Sequence, residues 1–354
     1  MVTLHTELPL SAQTAFAQLS DVATSFELNR SVENLHGSFS SKTVQGSRYW
    51  YFSFRDLDGQ LRQLYVGPDT EPVRAAVQRA REPAVKPDAA LAPLAKAAIA
   101  LGCAPALPKH VRAVRRLSDY GFFRAGGVLV GTHAFIALGN LLGVKWLAAS
   151  STTDVDFTHA GRNVSVALPA DVRIDVHAAL TSFEQGFIPL VQLSGGAGAS
   201  YKLTGDPEFQ VDFLTSAHRG GDGPVVIPNL NVGLQPLPFM EFSLEKVTQA
   251  VLADRNGSAV LVTVPAPERY AVHKLLVVGE RSGAMRTKAN KDLQQAAALF
   301  EYLLATRPDD LHEAWHDAQG RGPGWRKRAL EGVIALKRTQ PGLKLDDLLT
   351  RRPA

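Results

Sequence analysis

The sequence predicts an α+β protein, with a mixed sheet flanked by helices, a helix and β-hairpin region ahead of it and a C-terminal helical bundle behind. Three observations predict this. Strand-like and helix-like stretches alternate between about Lys109 and Val264. Two β-rich runs flank Asp58-Gly59 near the N-terminus. From about Pro267 onward, apolar residues recur at three- and four-residue spacing. With 354 residues, 45% hydrophobic and 20% charged, the chain can bury a sizeable core in two or three packed units. The textures divide it into 1–108, 109–265 and 266–354.

The first region opens with polar helical sequence. Ser47–Arg55 and Leu61–Pro68 then read as a hairpin, because Gly59 supplies the positive φ that its turn needs. A helix is expected from about Glu71, ending before the Pro/Ala-rich stretch Glu82–Leu94, which reads as a linker or the approach to another helix. In the second region Val111–Asp119 is a predicted helix, Val128–Val130 a short apolar strand, His133–Leu142 a helix and Asp154–Phe157 an alternating strand. Val172–His177 reads as a strand edge and Leu180–Phe187 as a short helix. Tyr201–Leu203 and Phe209–Leu214 form a second hairpin about Gly205-Asp206-Pro207. In the third region four helices are expected: Glu268–Gly279, Lys288–Thr306, Asp309–Gln319 and Trp325–Thr339.

Composition narrows the function classes. One cysteine, Cys103, excludes an internal disulfide framework and a thiolate metal cluster. The N-terminus lacks the pattern of a secretory signal, and no run approaches the roughly 20 apolar residues that span a bilayer. A cytoplasmic protein with no membrane partner is expected. The net charge is only +4, yet between Arg321 and Ala354 nine Lys or Arg face Glu331, Asp346 and Asp347. Such a tail suits either nucleic acid or a solvated helix face.

Three pieces of the middle region carry chemistry. Val128-Leu129-Val130-Gly131-Thr132-His133 runs a buried strand directly into a helix. Gly131 allows a phosphate to approach the backbone, Thr132 offers a hydroxyl and a cap, and the helix start offers unpaired N–H groups. His133 follows and is a candidate lining residue of the nucleotide pocket, with a core or capping role as the alternative. Thr153-Asp154-Val155-Asp156-Phe157 places two carboxylates on one side of a strand. Two like charges that close call for a cation or a proton, and oxygen-only ligands favour Mg²⁺ or Mn²⁺. Asp212, a lone acid in the apolar strand Val211–Leu214, needs a partner or a metal. If its strand lies beside that of Asp154 and Asp156, three acids meet as in two-metal nucleotidyl transfer, with Asp212 activating the acceptor. Asp175, alternating with Val172, Ile174 and Val176, is the alternative third acid.

Gly131-Thr132, then Asp154-x-Asp156, then a strand-borne Asp212 resembles the nucleotidyltransferase fold of the polymerase-beta type. Closer still is the resemblance to a bacterial group marked by Gly126–Ala134 (Gly-Gly-Val-Leu-Val-Gly-Thr-His-Ala) and Thr152–Phe157 (Thr-Thr-Asp-Val-Asp-Phe), with a similar N-terminal hairpin. It covers about Ser47 to Ala297. The group is distantly similar to abortive-infection type IV toxin nucleotidyltransferases, which implies a nucleoside triphosphate as donor, RNA (tRNA included) or protein as acceptor, and an antitoxin protein as a partner. Glu268–Leu275 and Lys288–Leu293 look like the helical segment of those enzymes. That likeness implies that Lys274 contacts the triphosphate, with Lys288, Lys291 and Asp292 as weaker candidates.

Other features carry less. The run Ser194–Lys202 is not a P-loop, since no Gly-Lys-Ser/Thr follows its glycines. His133, His159, His177, His218 and His273 lack zinc-ligand spacing. The aromatic hairpin, Tyr49, Trp50, Tyr51, Phe52, Phe54 and Tyr65 with Arg48, Arg55 and Arg62, suits either base stacking and phosphate contact or packing. The expected function is metal-dependent transfer of a nucleoside monophosphate to RNA or protein with release of pyrophosphate. The alternatives are a non-catalytic nucleotide- or RNA-binding half of a toxin–antitoxin pair and an enzyme that nucleotidylates a small molecule such as an antibiotic.

Overall fold

The computed structural model describes residues 3–33, 37–44, 46–55, 61–81, 87–147, 150–160, 174–183, 186–190, 199–217, 223–280, 286–345 and 348. At the N-terminus, strand β1 (His5–Glu7) precedes helix α1 (Leu10–Glu33). Strands β2 (Gly37–Val44), β3 (Ser47–Arg55) and β4 (Leu61–Pro68) form an antiparallel sheet in that order. The expected hairpin is thus β3–β4, joined by a third strand, β2, whose Ser-rich sequence gives little strand signal; the Asp58-Gly59 turn lies outside the described residues. Helices α2 (Glu71–Arg81) and α3 (Pro87–Ala100) follow. The stretch read as a linker is therefore helical from Pro87, where proline's fixed φ suits a first helical turn.

The middle region contains α4 (Pro108–Asp119), β5 (Gly127–Val130), α5 (Gly131–Leu141), β6 (Val144–Trp146), β7 (Asp154–His159), α6 (Val176–Thr181), β8 (Phe187–Pro189), β9 (Ser200–Leu203), β10 (Asp206–Ser216), β11 (Val225–Ile227), β12 (Val232–Leu237), α7 (Met240–Leu244), β13 (Val247–Ala253) and β14 (Ala259–Pro265). Its main sheet runs β11-β12-β10-β7-β5, with β9 against the first half of β10 and β8 outside it. β10 is parallel to β7 and β12, and β5 is antiparallel to β7. Alternation sorts the two faces of β7 and β10. Val155, Phe157, Val211 and Phe213 are fully buried on one face. There the rings of Phe157 and Phe213 stack at 5.6 Å, and Phe122 meets both edge-on. Burying a side chain of this size contributes roughly 1.5–3 kcal/mol.

Helix α5 is buried from Thr132 to Asn140, so it is apolar nearly all round rather than amphipathic. The antiparallel pair β13–β14 packs against it, and α1 and α3 cover that pair with Phe16, Leu19 and Leu91 against Val251 and Leu261. The expected strand at Val172–His177 is corrected. Within the described part Val176 opens α6, because the Asp175 carboxylate caps it by accepting from Ala178 N at 2.7 Å.

The last region is α8 (Pro267–Glu280), α9 (Arg286–Thr306), α10 (Pro308–Gly320) and α11 (Pro323–Thr339), close to the predicted spans. Helices α8 and α11 approach each other at two glycines. A Cβ on Gly332 would stand 2.3 Å from the Leu275 carbonyl oxygen, and one on Gly279 would stand 2.5 Å from that of Arg328. Among the described residues no helix is long and apolar enough to cross a membrane.

Candidate active site

The register of β7 and β10 builds the site. Asp156 pairs with Asp212, and Asp154 pairs with Gln210. Paired residues of parallel strands point to the same side, so all three acids share the face opposite the buried phenylalanines. Thr153 donates its hydroxyl to Asp154 Oδ1 at 3.2 Å, and Asp154 N donates to Thr152 Oγ1 at 3.3 Å. Asp212 Oδ1 accepts from Ser200 Oγ at 2.5 Å and from Gln210 Nε2 at 2.7 Å. The condition placed on Asp212, that its strand lie beside that of the other two, is met.

Gly131 closes the site from behind. Its φ is +65°, and a Cβ there would stand 2.1 Å from Asp156 Oδ2, so both backbone and space demand glycine. The Tyr270 hydroxyl donates to the Gly131 carbonyl at 2.6 Å and ties α8 to this turn. Burial, then the charge of Asp212, pushes the Asp156 carboxyl up from the ordinary 3.8 to about 6; Asp154 adds to the rise, while Lys274 and Lys288 oppose it.

The remaining expected residues are placed as follows. Thr132 is buried inside α5 and does not cap it; its Oγ1 accepts from Gln295 Nε2 at 3.4 Å, and no side chain caps this helix start. His133 is corrected from a pocket-lining residue to a core residue. It is 1% exposed, and its Nε2 stands 3.0 Å from His110 Nδ1. Burial, then the partner ring, drives its pKa down to about 3. Lys274 is buried, with its Nζ 2.6 Å from Asp292 Oδ1 and 5.0 Å from the centre of the Tyr270 ring. Burial on its own lowers its pKa, but Asp292 and Tyr270 outweigh burial, so the ammonium is held charged. It therefore acts on Asp156 through its field, already committed to Asp292. Lys288 is exposed, and Lys291 donates to the Ser151 carbonyl at 2.7 Å.

Asp175, the alternative third acid, is not brought to this face by any recorded pairing; it caps α6 and also accepts from Asn231 at 2.8 Å. Ser194–Gly198 and His218 lie outside the described residues, whereas Ser200, from the end of the glycine-rich run, reaches Asp212. Sequence reasoning missed Ser200, Gln210 and Tyr270 as site residues. Gln210 alone had a readable signal, two positions before Asp212 on the same strand face.

The donor chemistry suits a hard divalent cation, since the facing groups are all carboxylates and their mutual repulsion raises the pKa of the buried one. Among the described residues no three His, Cys, Asp or Glu side chains already stand as a closed metal cage. The acids form a facing pair with a third neighbour.

A solved structure with partial similarity is that of an antigenic nucleotidyltransferase-like protein from Paracoccidioides brasiliensis, at 17% identity over 64% of this chain and 95% of that one, with a TM-score of 0.30. No curated protein matches the chain. Residues 108–320, more than half of the chain, match the family described as nucleotidyltransferase. That span holds Gly131, the three acids and Lys274, and by it the chain belongs to this nucleotidyltransferase family.

Proposed function

We propose that the protein transfers a nucleoside monophosphate from a nucleoside triphosphate to a hydroxyl of an RNA or protein acceptor, releasing pyrophosphate, at Asp154, Asp156 and Asp212. The observation that carries this reading is the pairing of Asp156 with Asp212 across parallel strands, with Gly131 backed against the Asp156 carboxylate. Mg²⁺ or Mn²⁺ held by these acids would supply charge neutralisation for the triphosphate and a lower pKa for the attacking hydroxyl. The start of α5, which no side chain caps, offers backbone N–H groups to a phosphate, and Gly131 lets the Asp156 carboxylate lie directly against that turn. Lys288 stands on α9 as a cation for the triphosphate tail, while Lys274 offsets part of the acids' negative charge behind it. Asp212, fixed by Ser200 and Gln210, orients the acceptor hydroxyl and takes its proton as the new phosphoester bond forms.

The test is incubation of the purified chain with each α-labelled nucleoside triphosphate, a divalent cation, and total RNA or total protein. Label is expected on one acceptor class with pyrophosphate released, and it should vanish in Asp156→Asn. Transfer that survives this substitution would overturn the reading.

A further inference from the structure

A cleft of about 1150 Å³ lies beside the segment that leads into the acid strand, and its lining cations form no ion pair among the described residues. Its walls come from α3, the segment after it, the end of β6, the β13–β14 turn and α9. Lys96, Lys145, Arg255 and Lys291 line it, together with Asn290 and Gln294, and among the described residues no lining residue is acidic. Among the described residues none of these four cations forms an ion pair, whereas Arg115, Arg124, Arg269 and Arg321 each meet a carboxylate. Lys96, Lys145 and Arg255 are exposed, so their charge is available at the opening. Four like charges gathered from separate segments repel one another, and an anion in the cleft would relieve that repulsion. The volume exceeds the roughly 300–1,000 Å³ usual for small-molecule pockets.

The cleft is linked to the acid strand through Ser151 and Lys291. Ser151 lies on its wall, only three residues before Asp154, and accepts from Lys291. Lys291 also feels the charges of Asp156 and Asp154. On α9, Asp292 and Gln295 face Lys274 and Thr132, while Asn290, Lys291 and Gln294 face the cleft. One helix therefore separates the Lys274 side from a cleft whose charged lining residues, among those described, are all cations.

We infer that this cleft seats the acceptor, a single-stranded nucleic acid whose phosphodiester backbone contacts Lys96, Lys145, Arg255 and Lys291 and whose terminal hydroxyl reaches the acid face. The inference rests on the nucleotidyltransferase reading. A strand of repeating phosphates matches a wall of amines and a guanidinium without acids, and Asn290 and Gln294 add donors for sugar or base edges. A protein surface carries both signs of charge, so an acceptor protein would call for acids as well as cations in the lining.

The experiment uses the full chain and fluorescein-labelled 20-mer single strands of mixed sequence, one RNA and one DNA, read by anisotropy over a salt series. Lys96→Glu, Lys145→Glu and Arg255→Glu are each expected to weaken strand binding about five- to tenfold. Their triple combination should lower the slope of log affinity against log salt by about 0.7 per lost contact. The control is Arg326→Glu with Lys327→Glu on α11, the same kind of charge change away from the cleft, and it should cost less than twofold. The RNA and DNA arms decide which strand is taken. The proposal is overturned if neither strand binds, if the α11 pair weakens binding more than the cleft triple, or if the triple leaves binding unchanged. Label transfer from nucleoside triphosphates is measured in parallel. Strand binding lost in the cleft triple but no transfer by the unsubstituted protein would sink the nucleotidyltransferase reading and leave the cleft as a strand-binding site. Transfer that Asp156→Asn abolishes but the triple leaves intact would sink only the cleft.

Discussion

Two clusters of carboxylates in this molecule differ in what answers their charge. Glu245 and Asp317 are met by two guanidinium groups. Arg269 donates to Glu245 at 3.0 Å and to Asp317 at 2.7 Å, and Arg321 bonds both, with 2.9 Å to Glu245 Oε1 and 2.8 Å to Asp317 Oδ2. Both arginines also lie over the Phe242 ring, so the network doubles as packing between α7, α8 and α10. Around Asp154, Asp156 and Asp212 there is no arginine partner among the described residues. The nearest ammonium, Lys274, is committed to Asp292, and the groups bonded to Asp212 are a hydroxyl and an amide. Burial raises the pKa of Asp317, but its two arginines more than reverse that, so it stays below the usual value; Asp156 is pushed upward by burial and by its fellow acids. A neutralised acid cluster holds elements together. One left with excess negative charge has the chemistry to accept a cation.

The sharpest way to break this comparison is Asp156→Asn. Nucleotidyl transfer is expected to fall about 10²- to 10³-fold, the usual scale for losing a group that stabilises developing charge, while the melting temperature stays level or rises because a repulsion is removed. Label transfer and thermal denaturation check the two halves, and a large loss of stability would place Asp156 with the structural acids. Gly131→Ala comes next. The added methyl must displace the Asp156 carboxylate and sit at positive φ, at a cost of about 1–3 kcal/mol; urea denaturation reads the cost and transfer should largely disappear with it. Arg321→Ala is expected to destabilise by about 1–2 kcal/mol, reduced by partial exposure, with transfer within about twofold of the unsubstituted rate.

The smallest expected effect is in pH dependence, measured as urea midpoints in the presence of chelator. For Asp156 the folded pKa lies above the unfolded one, so its contribution is fully present below about pH 3.8 and is lost as pH rises through about 6. For Asp317 the folded value is depressed, so its contribution is present above about pH 3.8 and is lost as pH falls through the lowered value. Asp156→Asn should therefore flatten the neutral limb and Asp317→Asn the acidic limb. The same limb changing in both variants would erase the distinction.

The acid face was legible in the sequence because strand alternation is local. Asp154-Val155-Asp156-Phe157 and Val211-Asp212-Phe213 each assign their sides without help from the rest of the chain. Their adjacency was not legible, since it depends on a parallel pairing across more than fifty residues. Local alternation also misled at Val172–His177, where the carboxylate of Asp175 favours a helix cap over a strand position. The β13–β14 pair escaped notice because Ala259–Val264 is a nearly continuous apolar run, which periodicity does not assign to helix or strand. Ser200, Gln295 and Tyr270 reach the site through tertiary packing and left no pattern to read. The aromatic hairpin shows the packing role on one face and an exposed tyrosine pair on the other. Trp50 is buried and donates to Asp69 at 2.8 Å, while Tyr51 and Tyr65 meet on the side where Lys42 lies over the Tyr51 ring.

The glycines between α8 and α11 extend the site's sequence requirements far beyond its own residues. Helix α8 carries Tyr270, which holds the Gly131 turn, and Lys274, whose charge partly offsets the acids at Asp156. Its opposite side lies almost backbone to backbone against α11 at Gly279 and Gly332. Any side chain at either position acts as a wedge, and the movement it forces is passed along a rigid rod to the tyrosine and the lysine. Heritable variation at Gly332, fifty-eight positions beyond Lys274, would thus register as a defect at the acid face in a chain whose acids are all intact.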